Sequence, residues 1–272
     1  MRPQDINRGA TVSINEYRLH KDDGITPVTA GPKDVRMGTS ESSHQCQTCH
    51  KGLFDCPGHF GFVKLALPVF HVGYFKHTLA ILQAVCKECS RVLLTPEERD
   101  RCLKRIRANA EPSQNLKVLK AMTDECKKMR SCIYCGAYNG TVKKKPSESL
   151  KIIHDKYAVS KDQEIDDLVK QFEHSCTVNP EVERSLKDTY EDLNPLRVQQ
   201  IFTKIKDEDI QLFHMQAGLC KPVDLLITHV PAPPVCIRPS VAVSANVRNE
   251  DDLTMQLAEM VYCNQEIKNA IA

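Results

Sequence analysis

The stretch CQTCHKGLFDCPGH, residues 46–59, decides how this chain folds. It holds two potential ligand pairs, Cys46 with Cys49 and Cys56 with His59, each separated by two residues and lying six residues apart. Zinc takes four tetrahedral sulfur or nitrogen ligands at about 2.0–2.3 Å, and a two-residue gap lets both side chains of one turn face a single ion. Gly52 and Gly58 offer the permissive backbone that such tight knuckles need. His44 and His50 lie beside the motif but outside the paired spacing, which makes them weaker alternative ligands.

Working outward, a second set follows: Cys86-Lys-Glu-Cys89 and Cys132-Ile-Tyr-Cys135, with 42 residues between the pairs. One ion there would pin the ends of a long excursion together. Two independent redox dithiols are the competing reading, but that chemistry usually comes with a βαβ context absent here. Eight ligands divide into two complete shells, and a closed four-ligand shell is structural, whereas a catalytic zinc keeps a position for water. Zinc-finger peptides bind with about 10–16 kcal/mol, as much as the ~5–15 kcal/mol stability of a whole domain. The metal is therefore expected to decide whether the first 150 residues fold. Cys102, Cys126, Cys176, Cys220, Cys236 and Cys263 are unpaired in sequence and read as buried, inert thiols.

Composition agrees with this reading. The chain has 272 residues, 41% hydrophobic and 26% charged, which is ordinary globular usage for one large or two modest domains. Its most apolar stretch, Phe60 to Val85, is interrupted by Lys64, Pro68, His71, Lys76 and His77, too soon for the roughly 18 uninterrupted apolar residues of a membrane span. The polar start Met1-Arg2-Pro3 has no apolar signal core, so an intracellular, reducing location is expected, where 13 cysteines speak for metal rather than disulfides. Net charge is +2, yet Arg99 to Lys151 carries 14 Lys or Arg against 5 Asp or Glu, while Lys161 to Asp192 carries 4 against 10. The basic block is suited to an anion and the acidic block to solvent or a basic partner.

Residues 1–43 are polar and aperiodic and are expected to be extended or loop. His59 to Leu67 has the composition of a short strand. From His71 to Val85, the residues Val72, Phe75, Leu79, Leu82 and Val85 recur on one helical face. Thr95-Pro96-Glu97-Glu98 is a capping-box helix start, running to about Ala108. A helix over 113–129 follows, with Leu116, Leu119 and Met122 inward and Lys117, Lys120, Lys127 and Lys128 outward. Residues 139–157 read as strand and loop, then helices over 161–175, 179–191 and 195–205, the last capped by Asn194 and Pro195. Four prolines in Val230 to Pro239 exclude a regular helix and predict an extended segment. A helix over 251–271 closes the chain, with Leu253, Leu257, Met260, Val261 and Ile267 on one side. It stops at Ala272 without Gly, Pro or a polar tail, so the chain is read as a piece of something longer.

The expected fold class is α+β, mostly helical and irregular, with two structural zinc sites. Four segments are expected: 1–43 extended, 44–160 zinc-binding with a basic helical insertion, 161–229 helical, and 230–272 a proline-rich segment, a loop and a helix. No glycine-rich phosphate loop, Gly-x-Ser-x-Gly, His-Glu-x-x-His or closely paired aspartates occur, and Asp207-Glu208-Asp209 and Glu250-Asp251-Asp252 read as surface and helix-start residues. No catalytic residue is expected in this chain.

CQTC with CPGHFGFVKLALPVFHVGYF, then CKEC, CIYCGAYNGTVKK, LKIIHDKY, LNPLRVQQIF, PPVCIRPSV and EDDLTMQLAE, in this order, resemble the N-terminal clamp region of the largest subunit of eukaryotic RNA polymerases. The resemblance runs from about Gly31 to the end, and FHVGYF, GTVKK, IIHDKY and CIRPSV look most like the polymerase III branch, which makes transfer RNA and 5S ribosomal RNA. It implies a clamp closing over DNA and RNA, with a clamp head, part of the clamp core, and two zinc ions as braces. It implies that 240–249 corresponds to the family's lid. It further implies a nuclear nucleotidyltransferase whose catalytic aspartates and Mg2+ belong to a part of the subunit outside this chain. Expected partners are the other polymerase III subunits, including the second-largest, with the DNA template and RNA transcript, and no membrane. Lys117, Lys120, Lys127, Lys128, Lys143, Lys144, Lys145 and Arg248 are the candidate nucleic-acid contacts. The alternatives are a clamp piece of another nuclear polymerase or a stand-alone zinc-dependent nucleic-acid module. A RING-type adaptor fits less well, because six residues between the first pairs are too few for a cross-braced ring.

Overall fold

The computed structural model describes residues 2–41, 44–108, 112–146, 150–156, 175, 177–179, 181, 190–216, 218–243 and 248–272. The chain divides into two compact units, residues 1–68 with 227–272, and residues 69–226. The mixed α and β content agrees with the expected class, with six α-helices and small sheets among the described residues.

In the first unit, β1 (Val12–Ser13) pairs in parallel with β2 (Gly61–Phe70), placing Val12 opposite Gly61, and β6 (Leu226–Ala232) lies on the other side of β2. Val12, Ile14, Met37, Val63, Ala232 and Val235 form a core with Leu257 and Val261 of the last helix, α6 (Asp252–Ile271). Asp251 caps that helix, its carboxylate accepting from the Leu253 backbone at 3.0 Å. The buried side of α6 differs from the expected one. Leu253 and Ile267 are exposed, and Thr254 and Asn264 are buried beside Leu257 and Val261. Both polar residues have work that an apolar count cannot register. Asn264 accepts from the Ala66 backbone at 2.6 Å and donates to the Lys64 carbonyl at 3.1 Å, joining helix to strand. Thr254 accepts at 3.2 Å from Arg238, a fully buried guanidinium that also donates to the Pro233 carbonyl at 3.0 Å. Burial pulls the Arg238 pKa down to about 10.

Two further expectations in this unit are revised. A short helix, α1 (Pro3–Gly9), stands in the segment expected to be irregular; Pro3 fits its first turn and the Asp5 carboxylate accepts from the Arg2 backbone at 3.2 Å. The proline-rich segment is extended only to Ala232, and Val235–Ile237 forms a 3-10 turn, which proline's fixed φ suits at its start. Within 240–249, β7 (Val241–Ala242) and β8 (Arg248–Asn249) pair antiparallel, and residues 244–247 lie outside the described set.

The second unit holds α2 (Phe75–Ala84), α3 (Pro96–Ala108), α4 (Pro112–Cys126), the antiparallel sheet β3 (Thr141–Lys144), β4 (Ile152–Asp155) and β5 (Tyr190–Asp192), and α5 (Pro195–Thr203). Its core includes Ile81, Leu82, Leu93, Met122, Ile152, Leu193, Phe202 and Phe213. The capping box forms as expected: Thr95 N–H donates to the Glu98 carboxylate at 3.0 Å and Glu98 N–H to the Thr95 hydroxyl at 3.3 Å. Asn194 accepts from the Arg197 backbone at 2.8 Å. On α4 the inward residues are Val118, Leu119, Met122 and Cys126, while Leu116 is 59% exposed, so the buried stripe is offset from the one expected. The helix expected from His71 opens as a 3-10 turn, Val72–Tyr74, and leaves Val72 exposed. Residues 190 and 191, expected to end a helix, belong instead with Asp192 to the edge strand β5, with Ile153 opposite Asp192. Most of each helix expected over 161–175 and 179–191 lies outside the described residues.

Candidate metal centres

Three of the four cysteine knuckles share one backbone scheme. The first cysteine's N–H donates to the carbonyl five residues on: Cys46 to Lys51 at 3.0 Å, Cys86 to Arg91 at 2.9 Å, Cys132 to Ala137 at 2.8 Å. Its carbonyl accepts from the residue four on: His50 at 2.8 Å, Ser90 at 3.0 Å, Gly136 at 2.8 Å. Closing so tight a ring forces that fourth residue into the left-handed region, with φ of 57° at His50, 58° at Ser90 and 71° at Gly136. The expectation placed on Gly52 is thereby corrected, since the left-handed position belongs to His50 and a Cβ on Gly52 would meet open space. The remaining knuckle, Cys56 to His59, uses Gly58, φ 78°, two residues after Cys56.

A small turn brings the first two knuckles together. Asp34 caps the 3-10 turn Val35–Met37, accepting from the Arg36 backbone at 2.9 Å and from Ala30 at 2.5 Å. Burial opposes ionisation of that carboxyl, but the hydrogen bonds from Arg36 and Ala30 and the Arg36 charge together outweigh it and hold the pKa below its ordinary value. Carbonyls of the same turn accept from both knuckles: Val35 from Gln47 N–H at 3.3 Å, Arg36 from the Thr48 hydroxyl at 2.6 Å, and Met37 from His59 N–H at 3.1 Å.

The result is two groups of four, Cys46, Cys49, Cys56 and His59, and Cys86, Cys89, Cys132 and Cys135, with the ligand atoms of each within 4.8 Å of one another. Cys49 and Cys56 sulfurs are 3.5 Å apart, and the Cys86–Cys135 and Cys89–Cys132 pairs 3.6 Å. A tetrahedron of sulfurs at about 2.3 Å from zinc has edges of about 3.8 Å, so these spacings suit one ion per group. His59 Nε2 adds an independent sign: it is buried and has no hydrogen-bond partner among the described residues. Such an orphan is rare unless an ion or water meets it. Each group could therefore hold a metal ion, and its ligand set is of the kind zinc takes.

His44 and His50 stand outside both groups, and His44 pairs with Glu41 at 3.1 Å. Of the cysteines read as buried thiols, Cys102 and Cys126 are buried, and burial pushes Cys126 up to about 12. Cys236 and Cys263 are exposed and Cys220 half-buried, against expectation; Cys176 lies outside the described residues.

Sequence reasoning missed Lys87, between the ligands of the third knuckle. It is 5% exposed, and its ammonium donates to the Asn139 side-chain carbonyl at 2.8 Å. Burial pulls its pKa down to about 8, against the negative charge of neighbouring cysteines. Asn139 is held in turn by donating to the Cys126 and Met129 carbonyls at 3.2 and 2.9 Å. Lysine between two cysteines looks like any solvent residue in sequence, and nothing short of the fold reveals its burial.

The candidate nucleic-acid residues fall into two sets. Lys117, Lys120, Lys127 and Lys128 are exposed on or just past α4, and Lys143 and Lys144 are exposed on β3 with Lys145 half-buried after it. Arg248 pairs with Glu41 in the other unit. Among the described residues no helix is long and apolar enough to cross a membrane.

Comparison with known proteins places this geometry. The family described as RNA polymerase Rpb1, domain 1, matches residues 1–272. The match includes the first thirty residues, which the resemblance read from motifs had left out. The chain is 40% identical over 273 residues to DNA-directed RNA polymerase III subunit rpc1 of Schizosaccharomyces pombe, covering 99% of this chain and 19% of that protein. Human subunit RPC1 is 41% identical over 98% of this chain, again 19% of the relative, and archaeal Rpo1N of Thermococcus celer is 28% identical over 99%, 27% of its length. The chain thus spans about a fifth of the length of its polymerase III relatives. On its full-length match, and with both ligand groups assembled, the chain belongs to the RNA polymerase Rpb1 domain 1 family.

Proposed function

We propose that this chain is the N-terminal clamp part of the largest subunit of a nuclear DNA-directed RNA polymerase III, with two structural zinc ions. The observation that carries the reading is 40–43% identity to polymerase III largest subunits over nearly all of this chain. In this reading 44–160 is the zinc-braced clamp region, 161–229 the helical head, and 230–272 carries the lid-like loop and the start of the clamp core. The chain holds template DNA and nascent transcript during synthesis of transfer RNA and 5S RNA, beside the second-largest subunit. Its own residues supply structure and charge, and catalytic aspartates with Mg2+ belong to the remainder of the enzyme. Four thiolates, or three and an imidazole, saturate a zinc ion, so no position is left for substrate or water.

Two measurements test it. Elemental analysis should give two zinc ions per chain, falling to one in Cys132→Ser; one ion unaffected by that change removes the second centre. In the assembled polymerase, reversing charge at Lys117, Lys120, Lys127 and Lys128 should weaken duplex binding without altering sequence preference. Its salt dependence should drop by a log–log slope of about 0.9 per lost phosphate contact. Unchanged affinity would reduce these lysines to the solvent face of α4.

A further inference from the structure

Burying an ammonium without a counter-charge costs several kcal/mol, so buried lysines are normally ion-paired. Lys87 breaks that rule within the protein alone. It is 5% exposed, its hydrogen bond goes to the neutral amide of Asn139, and no carboxylate pairs with it among the described residues. Its position is equally unusual, since it follows one ligand, Cys86, and precedes another, Cys89, by two residues. Both neighbouring ligands of the core side, Cys86 and Cys132, are themselves buried. A zinc ion with four thiolates carries two net negative charges. That centre needs a cation nearby in a medium where charges interact far more strongly than in water.

We propose that Lys87 is the built-in counter-cation of the Cys86–Cys89–Cys132–Cys135 metal–thiolate centre, held by Asn139 and raising the centre's affinity for zinc. The inference rests on the zinc reading above. It assigns Lys87 a charge role exerted through space, because its ammonium does not hydrogen-bond a ligand sulfur; its hydrogen bond is to Asn139. Without the ion, no carboxylate among the described residues balances the ammonium. Metal-bound, the lysine offsets one of the centre's two negative charges. Asn139 is the positioning residue, because its side chain ties the lysine to the carbonyls of Cys126, the last residue of α4, and of Met129 just beyond it. The other centre is a natural reference: with three thiolates and an imidazole it carries one negative charge fewer, and Lys87 lies in a different unit from its ligands.

The test is chelator competition on the full chain, reading zinc release per equivalent. Lys87→Gln keeps a polar group for Asn139 but removes the charge, and Lys87→Arg keeps the charge. Outer-sphere partners of metal ligands typically change metal affinity by about 10–100-fold. In Lys87→Gln one of two zinc equivalents should bind at least tenfold more weakly while the other is unchanged, and Lys87→Arg should recover most of the loss. Equal losses in both variants would show a packing role, and two wild-type curves for Lys87→Gln would show no role; either overturns the proposal. Should Lys87→Gln fail to fold with zinc in excess, Asn139→Ala decides: loss of affinity at one equivalent supports the proposal, and full affinity overturns it. Fewer than two zinc ions in the wild-type chain would instead defeat the zinc reading itself.

Discussion

The two candidate centres use nearly the same knuckle but do different structural work. The first draws all its ligands from 14 consecutive residues, Cys46 to His59, braced by one 3-10 turn. The second joins two knuckles across 42 residues that contain α3 and α4. Closing a short local loop removes little chain entropy, whereas bridging distant segments removes more, by a logarithm of the span. The second centre is thus a tertiary cross-link, and Cys86 and Cys132 belong to the unit's core itself. A local metal site organises a motif; a distant one organises a domain.

The largest effect that could break this contrast is metal removal. Stripping both ions should abolish cooperative unfolding of the second unit, since about 10–16 kcal/mol of zinc binding is comparable to the whole stability of a domain. Hydrogen exchange gives the comparison its resolution. Amides of α3 and α4 should lose protection when the second centre is emptied by Cys132→Ser, while β1, β2 and α6 keep theirs. Cys49→Ser should do the reverse, exposing the first two knuckles and the Val35–Met37 turn. Protection of α3 and α4 that survives complete metal loss would make the second centre an ornament on a self-sufficient core.

What the sequence made legible follows the same divide. The four two-residue knuckles, which gather into two groups that could hold a metal ion, the Thr95–Glu98 capping box and the Asn194 cap were readable because each is a local rule with fixed spacing. The failures are tertiary. Thr254 and Asn264 point inward because Arg238 and the β2 backbone need hydrogen-bond partners, and an apolar period assigns those places to Leu253 and Ile267. Residues 190–192 became a strand because β4 offered an edge to pair with. Lys87 and Asn139 were invisible because burial of a lysine is a property of the whole packing, not of its neighbours in sequence.

Glycine substitutions sharpen the comparison at a smaller scale. Gly58 and Gly136 both sit at positive φ, 78° and 71°. An added Cβ at Gly58 would meet Pro234 Cβ at 2.6 Å and Cys236 Sγ at 2.7 Å, whereas at Gly136 it would meet nothing within 4 Å. Gly136→Ala should therefore cost only the left-handed backbone penalty, about 1–2 kcal/mol. Gly58→Ala should cost that plus overpacking of about 1–3 kcal/mol. Thermal melts in excess zinc measure both, and equal losses would mean that the packing behind the first centre yields freely.

The smallest expected effect is a gain. Ser90 and His50 occupy the position that Gly136 fills, four residues after the first cysteine of the knuckle, at φ of 58° and 57°. Replacing either with glycine relieves about 1–2 kcal/mol of left-handed strain, offset by about 0.5–1 kcal/mol of extra entropy in the unfolded chain. His50 is exposed, so His50→Gly should stabilise by between about 0 and 1.5 kcal/mol from the backbone alone. Ser90 differs, because its side chain is 1% exposed and its hydroxyl is buried without a hydrogen-bond partner. Removing an unsatisfied buried hydroxyl relieves a further penalty of about 1–3 kcal/mol, less the packing its atoms contribute. Ser90→Gly should accordingly stabilise the second unit more than His50→Gly stabilises the first, read as the difference between two denaturant midpoints at saturating zinc. Equal shifts would place a bound water on the Ser90 hydroxyl, and a loss at Ser90 would mean that the hydroxyl supports the knuckle rather than burdening it.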